Sequence, residues 1–317
     1  MLTPPRDLPS DRLRAVLFRH WSIHAEILEY VPLGFGSHHW RAGDGDREWF
    51  VTVDELATPR QTAFERLTAA LGTARALCTA GLDFVVAPET GTDGAVSARA
   101  GTRFAVSCYP YLAGEHFDWG EFRDEGQRQA VFDMIVGVHG AAVPGAARTD
   151  DFTITHRAEI DAALAGHVAD EGPYAAPMVD LLARRAGALR AEFARYDALA
   201  GAARTASARA VVTHGEPHAG NTIRTSEGWR LLDWDTALVA PPERDLWDLD
   251  PGDGSLLAAY AHATGVDPRP ELIELYRRRW DLTDAGEYVH RFRRPHTDSA
   301  DDAQSWSNLV ELIDGMS

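Results

Sequence analysis

The stretch HGEPHAGN at 214–221, followed by LLDWDT at 231–236, decides how the rest of the chain is read. Glu216 stands five residues before Asn221. At that spacing a carboxylate can reach an acceptor hydroxyl while the amide oxygen binds a metal ion, two of the parts that phosphoryl transfer asks of a protein. Asp233, at the end of an apolar strand, supplies a charged oxygen to the same ion. The flanking segments ARAVVTHG at 208–215 and GWRLLDWD at 228–235 read as short strands with the polar octet between them.

Upstream, the spacing of Leu13, Val16, Leu17 and Trp21 predicts an N-terminal helix within 11–30, capped by Ser10 or Asp11. Residues 31–56 hold two β-favouring runs around AGDGD, the composition of a hairpin turn, with a glycine-containing bend at 34–36 before them. A helix over 59–80 follows from Phe64, Leu67, Leu71, Ala74 and Leu77, with Pro59 suited to its first turn and Gly81 to its stop. Strands are expected at about 84–87, 95–99 and 103–109. Beyond YPYLAG at 109–114 the pattern turns helical, at about 121–140, 157–168, 176–200, 253–263, 268–280 and 303–314. The fold class expected is α+β in two lobes, a small β-rich lobe over 1–110 and a larger, mostly helical one over 111–317, with the polar motifs in the cleft at their junction.

Composition narrows the partners. A chain of 317 residues is long enough for two lobes, and its net charge of −17 argues against nucleic acid, which needs clustered basic residues. The dense basic runs, RRR at 277–279 and RFRR at 291–294, read as solvated helix faces. All 31 basic residues are Arg; lysine does not occur. Cys78 and Cys108 have no metal-ligand spacing, and no run of 18 apolar residues indicates a membrane span. A cytoplasmic protein without membrane or nucleic-acid partners is expected.

In this order, His214-Gly215-Glu216, Asn221, Leu232-Asp233-Trp234, Pro241-Pro242 and Arg244-Asp245-Leu246 resemble the motifs of the aminoglycoside phosphotransferase family and, more distantly, the protein kinases. The resemblance implies a protein-kinase-like fold, ATP or GTP as phosphoryl donor and Mg2+ as cofactor. His214 would pack and hydrogen-bond the loop, Glu216 would occupy the catalytic-base position, and Asn221 and Asp233 would hold the magnesium. Asp245 would brace the loop. The bend LGFGSHHW at 33–40 would bring backbone amides of Gly34 and Gly36, with the Ser37 hydroxyl, toward the phosphates. SCYPYLAG at 107–114 resembles the interlobe hinge, where backbone groups from Tyr109 through Tyr111 to Leu112 would hydrogen-bond an adenine.

Two departures stand out. The family's strand-three lysine falls at or near Thr52 in EWFVTVDE (48–55), so positive charge would have to come from an Arg such as Arg41, Arg47, Arg60 or Arg66, whose planar fork differs from an ammonium in reach. Glu65, the helix partner of that lysine, is then expected to be solvated. The other departure is Glu216 in place of Asp, which extends the carboxylate by about 1.5 Å, with Pro217 holding residue 216 extended.

The reading that follows is an O-phosphotransferase acting on a small hydroxylated, cationic molecule such as an aminoglycoside or aminocyclitol. A ligand-binding pseudokinase and a nucleotidyl transferase on the same fold stay open beside it. The acids after Asp233, among them Asp248 and Asp250, are candidates for lining the acceptor site, and the aromatics of HFDW at 116–119, with Trp280, Tyr288 and Trp306, for stacking on a ring. His290, His296 and Asp298 match no standard metal spacing and read as surface or packing residues.

Overall fold

Alternating burial along EWFVTVDE sets the architecture of the N-terminal region: Trp49, Val51 and Val53 point to one face of a sheet, and Phe50, Thr52 and Asp54 to the other. The computed structural model describes residues 1–34, 36–145, 147–167, 172–206 and 209–316. Five antiparallel strands form this sheet: β1 (Ile27–Val31), β2 (His38–Gly43), β3 (Glu48–Glu55), β4 (Ala98–Ala100) and β5 (Phe104–Pro110), in the order β1-β2-β3-β5-β4. Helix α1 (Ser10–Trp21) buries Leu13 and Leu17 against Trp40, Trp49, Val51, Val53, Phe104 and Val106. Each such side chain contributes about 1.5–3 kcal/mol on leaving water. Helix α2 (Arg60–Thr79) serves the opposite face, where Leu67 and Leu71 meet Val86, Ala105 and Tyr109.

The remaining elements of the first compact unit carry the polar octet. They are β6 (Glu115–His116), α3 (Glu125–Gly140), β7 (Val211–Thr213), a 3-10 turn (Ala219–Asn221), β8 (Thr222–Thr225), β9 (Gly228–Leu231), β10 (Leu238–Ala240), α7 (Glu243–Leu249) and α8 (Ser255–Thr264). Strand β10 pairs with β7, and β8 lies between β6 and β9. This unit spans Met1–Thr149 and Arg209–Asp267. The second unit, Asp150–Ala208 and Pro268–Ser317, is helical. It contains α4 (Arg157–Leu164), α5 (Ala175–Arg184), α6 (Ala186–Thr205), α9 (Pro270–Phe292) and α10 (Ala300–Gly315). The β-rich N-terminal region and the polar octet share one of these units.

Several expectations change in detail. Residues 27–30, read as the end of a first helix, belong to β1, because α1 stops at Trp21 with Ser22 in the left-handed region. Residues 84–87 make a single parallel bridge, Val85 to Leu231, because Pro88 has no amide with which to continue a ladder. The helix expected over 176–200 is two helices meeting at Arg185, whose guanidinium binds the Ile313 and Asp314 carbonyls near the end of α10. The helix begun at 268 continues to Phe292, sustained by buried Leu282, Ala285, Val289 and Phe292. Positions 35, 168 and 208, which fall in the expected glycine bend, the helix over 157–168 and the strand over 208–215, lie outside the described residues. Both cysteines are free, and no helix among the described residues is long and apolar enough to cross a membrane.

Candidate active site

Asp245, fully buried near the start of α7, organises the octet. Its Oδ2 accepts the His214 amide at 2.9 Å and its Oδ1 the Gly215 amide at 2.6 Å. His139 of α3 adds a third donor, Nε2 at 3.1 Å, with Tyr260 hydrogen-bonded to its other ring nitrogen at 3.0 Å. Burial opposes a charge there, but the hydrogen bond from His139 and the Arg244 charge outweigh it and hold the carboxyl below its ordinary range. Gly215 has φ +105°, and a Cβ there would lie 2.2 Å from the Arg244 guanidinium, so only glycine fits.

His214 passes this order to its neighbours. Burial pushes its imidazole down to about 4, so the ring is neutral at neutral pH. Nε2–H donates to the Leu232 carbonyl at 2.7 Å, which fixes the tautomer and leaves Nδ1 to accept the Glu216 amide at 3.2 Å. Trp234, fully buried, packs edge-on against the ring at 4.6 Å. The Thr236 hydroxyl bonds the His214 carbonyl at 2.8 Å, and Leu232 N–H bonds the Asn221 carbonyl at 2.8 Å. The loops carrying Glu216, Asn221 and Asp233 are thereby tied into one piece.

Asn221 Nδ2 donates to the Glu216 carbonyl at 2.8 Å, which orients the amide and turns Oδ1 the other way. Asp233 has φ +59°, a left-handed conformation that costs a non-glycine residue of order 1 kcal/mol and marks a site where geometry outranks local stability. Its carboxylate is hydrogen-bonded to that of Asp235. The charge of Asp235, burial, and the charges of Glu216 and Asp54 raise it well above the carboxylate range. Burial raises Asp235 too, while Arg244 pulls it down. Both carboxylates reach solvent. Crowded anionic oxygens, with an oriented amide oxygen on the loop tied to theirs through Leu232 N–H, are the donor set of a hard divalent cation such as Mg2+, whose charge would relieve their repulsion.

On the sheet side, Asp54 faces this cluster. Its carboxyl accepts the Ser37 hydroxyl at 2.5 Å, and burial followed by the Asp235 charge raises it to about 7. The hydroxyl expected to face phosphate is thus committed to β3. Thr52 bonds Tyr109 and lies opposite His39 and Ser107. Arg41 pairs with Glu48, and Arg47 with Glu89 at 2.8 Å; Arg60, Arg66 and Glu65 are exposed on α2. The guanidinium acting on the carboxylate pair is Arg244, outside the set expected. Gly34 and Gly36 have φ +69° and +92°, as a tight glycine bend requires. Tyr109 and Leu112 join the apolar patch with Phe50, Val86 and Leu232, whereas the Tyr111 amide is taken by the Glu48 carbonyl at 3.2 Å.

Residues 28–284 match the family model described as "Phosphotransferase enzyme family" (APH). The chain belongs to this phosphotransferase family. Protein StrN of Streptomyces griseus is 32% identical over 299 residues, which are 90% of this chain and 86% of that one. Among solved structures, spectinomycin phosphotransferase APH(9)-Ia in complex with ADP and spectinomycin superposes with a TM-score of 0.72 at 15% identity, covering 98% of this chain and 99% of that one. Choline kinase LicA from Streptococcus pneumoniae gives a TM-score of 0.60 at 11% identity, over 96% and 98% of the two chains. The phosphotransferase fold is therefore kinase-like, with a β-sheet N-terminal region and a helical C-terminal region.

Within this family framework, the octet, Asp233 and Asp245 come together as the motif order suggested. The reading missed Asp54, Asp235, His139 and Arg244 as parts of the site. The alternation in EWFVTVDE was the signal for Asp54, since it puts that residue on the face of Thr52. Asp248 Oδ2 and Asp250 Oδ1, offered as acceptor ligands, are buried oxygens without a hydrogen-bond partner among the described residues; burial and the Asp245 charge raise Asp248 to about 6. Of HFDW, Trp119 is 71% exposed and sits 6.4 Å from the His218 ring, while Phe117 packs on Trp229 at 5.3 Å.

Proposed function

We propose that this chain moves the γ-phosphoryl group of ATP or GTP to a hydroxyl of a small cationic molecule of the aminoglycoside or aminocyclitol kind. The observation that carries the reading is the Asn221 amide pinned to the Glu216 carbonyl, beside an Asp233 carboxylate under strong anionic pressure. Asn221 Oδ1 and Asp233 would hold Mg2+, which supplies charge neutralisation on the phosphate oxygens when bound. Glu216 takes the proton of the attacking hydroxyl; His214 and Asp245 keep its backbone in place. Gly34 and Gly36 turn the loop that covers the phosphates, and Tyr109 and Leu112 border the apolar surface for the base.

A cationic acceptor is supported by the cavity beside the catalytic loop, lined by Asp118, Trp119 and Glu121 and by Glu115, which is paired with Arg123 at 2.5 Å. Asp118 and Glu121 would pair with ammonium groups and Trp119 would cover a ring, as cations favour aromatic faces. The net charge of −17 steers such a molecule inward.

Asp54, an acid on the face where the family carries its lysine, is the observation that favours a second reading, a binder that does not transfer phosphate. Incubation with ATP or GTP, Mg2+ and a panel of aminocyclitols, aminoglycosides and neutral sugars, followed by mass spectrometry, separates the readings. A phosphorylated cationic product that disappears with Glu216→Gln supports transfer. A nucleotidylated product would identify a nucleotidyl transferase, and tight nucleotide binding without any product would leave the binder.

A further inference from the structure

In the helical unit, His156 and Glu159 at the start of α4 meet His290 near the end of α9. One ligand atom from each of the three lies within 4.8 Å of the others. The two imidazoles stack with centroids 3.5 Å apart. Both direct Nδ1 at the same oxygen, Glu159 Oε1, at 3.2 Å from His156 and 2.7 Å from His290. Glu159 is also braced by Arg294, at 3.2 Å on Oε2 and 3.4 Å on Oε1, and by Arg293 at 3.7 Å on Oε2. Residues expected to belong together, His290 with His296 and Asp298, are instead separated by role: His296 accepts the Tyr174 amide, and Asp298 the Tyr174 hydroxyl.

His156 has a partner for Nδ1 in Glu159 but, among the described residues, none for its other ring nitrogen. Its side chain is only 9% exposed, and Nε2 is buried without a hydrogen-bond partner, the nearest acid being Glu287 Oε1 at 3.6 Å. A neutral imidazole has one N–H and one lone pair. If the proton is on Nδ1, the Nε2 lone pair faces the Glu287 carboxylate whenever that group is ionised; if it is on Nε2, the Nδ1 lone pair faces Glu159. A second proton would satisfy both carboxylates, but it would place a charged ring flat against His290.

We propose that His156, Glu159 and His290 bind a zinc ion. With the metal on the two Nδ1 atoms and Glu159, both lone pairs are used, and His156 Nε2–H is free to point at Glu287. A ligating histidine whose other nitrogen meets a carboxylate is the usual support of a zinc site. Zinc accepts two imidazoles and a carboxylate at about 2.0–2.2 Å in a tetrahedron, and one ligand atom from each residue already lies within 4.8 Å of the others. The fourth position is left to water, and the ion fastens α4 to α9. This inference does not depend on the phosphotransfer reading.

The test is titration of Zn2+ into the untagged, chelator-stripped chain, with Co2+ absorption reporting geometry. Asp233→Asn, in which the divalent-cation site proposed at Asn221 and Asp233 is disabled, is expected to bind one equivalent with a tetrahedral cobalt spectrum and a raised Tm, and wild type to show the same tight equivalent when Mg2+ is in excess. His290→Ala and the nearly isosteric Glu159→Gln are expected to lose at least about tenfold in affinity, with circular dichroism confirming that each is folded. Absence of zinc binding in the wild type, unchanged affinity in folded His290→Ala and Glu159→Gln, or binding that vanishes with Asp233→Asn would overturn the proposal.

Discussion

Gly215 donates its amide to Asp245 Oδ1 at 2.6 Å, and this bond ties the catalytic loop to α7. Because the same carboxylate also serves the His214 amide and His139, removing it strands three buried donors. Asp245→Ala is expected to destabilise the fold by about 3–5 kcal/mol, measurable by denaturant titration. A carboxyl held below its ordinary range contributes stability above its unfolded pKa of about 3.9, and this is lost as pH falls through the folded value. The advantage of wild type over Asp245→Asn should therefore shrink in unfolding curves taken below about pH 4.

Asp54 carries the opposite sign. A carboxyl raised to about 7 adds stability that is complete below about 3.9 and is lost as pH rises through about 7. Asp54→Asn should accordingly raise Tm more at about pH 8 than at about pH 5, by a gain on the order of 1 kcal/mol after solvent screening. The same change removes a negative charge from the cluster with Asp233 and Asp235, so nucleotide affinity should increase severalfold in a titration with Mg2+.

Glu216 is the acid whose side-chain length is unusual for its position. Glu216→Gln should lower kcat by about 10²–10⁴-fold with little change in KM, as loss of a proton acceptor does. Glu216→Asp keeps the carboxylate but draws it back by about 1.5 Å, and should cost on the order of 10²-fold. Steady-state kinetics of both variants on the identified acceptor check this; equal activity of Glu216→Asp and wild type would mean that the longer side chain sets no distance.

Gly215→Ala must place a Cβ against Arg244 in a backbone conformation that favours glycine. A loss of about 1–3 kcal/mol is expected. Activity should fall further than stability, because the next residue is Glu216.

The octet was legible because it is local: His214, Glu216 and Asn221 lie within eight residues, and Asp233 ends the following strand. The hairpin of β2 and β3 and helix α2 were also legible, since their periodicities of two and 3.6 are strong and their turns are rich in glycine and proline. What was not legible came from distant contacts. His139 becomes part of the site through Asp245, and Arg244 through Asp235, over separations that periodicity does not encode. Strand β1 was absorbed into a helix because its hydrophobic residues continue the pattern of α1, and only the left-handed Ser22 breaks it. Likewise His290 and His156, far apart in sequence, meet through the packing of α4 on α9.

The most direct test of the account is calorimetric titration of ATP and GTP, with and without Mg2+, into wild type and Asp233→Asn. Binding that requires Mg2+ and falls at least about tenfold in Asp233→Asn is the predicted result. Absence of binding by either nucleotide, or binding indifferent to both Mg2+ and Asp233, would contradict it.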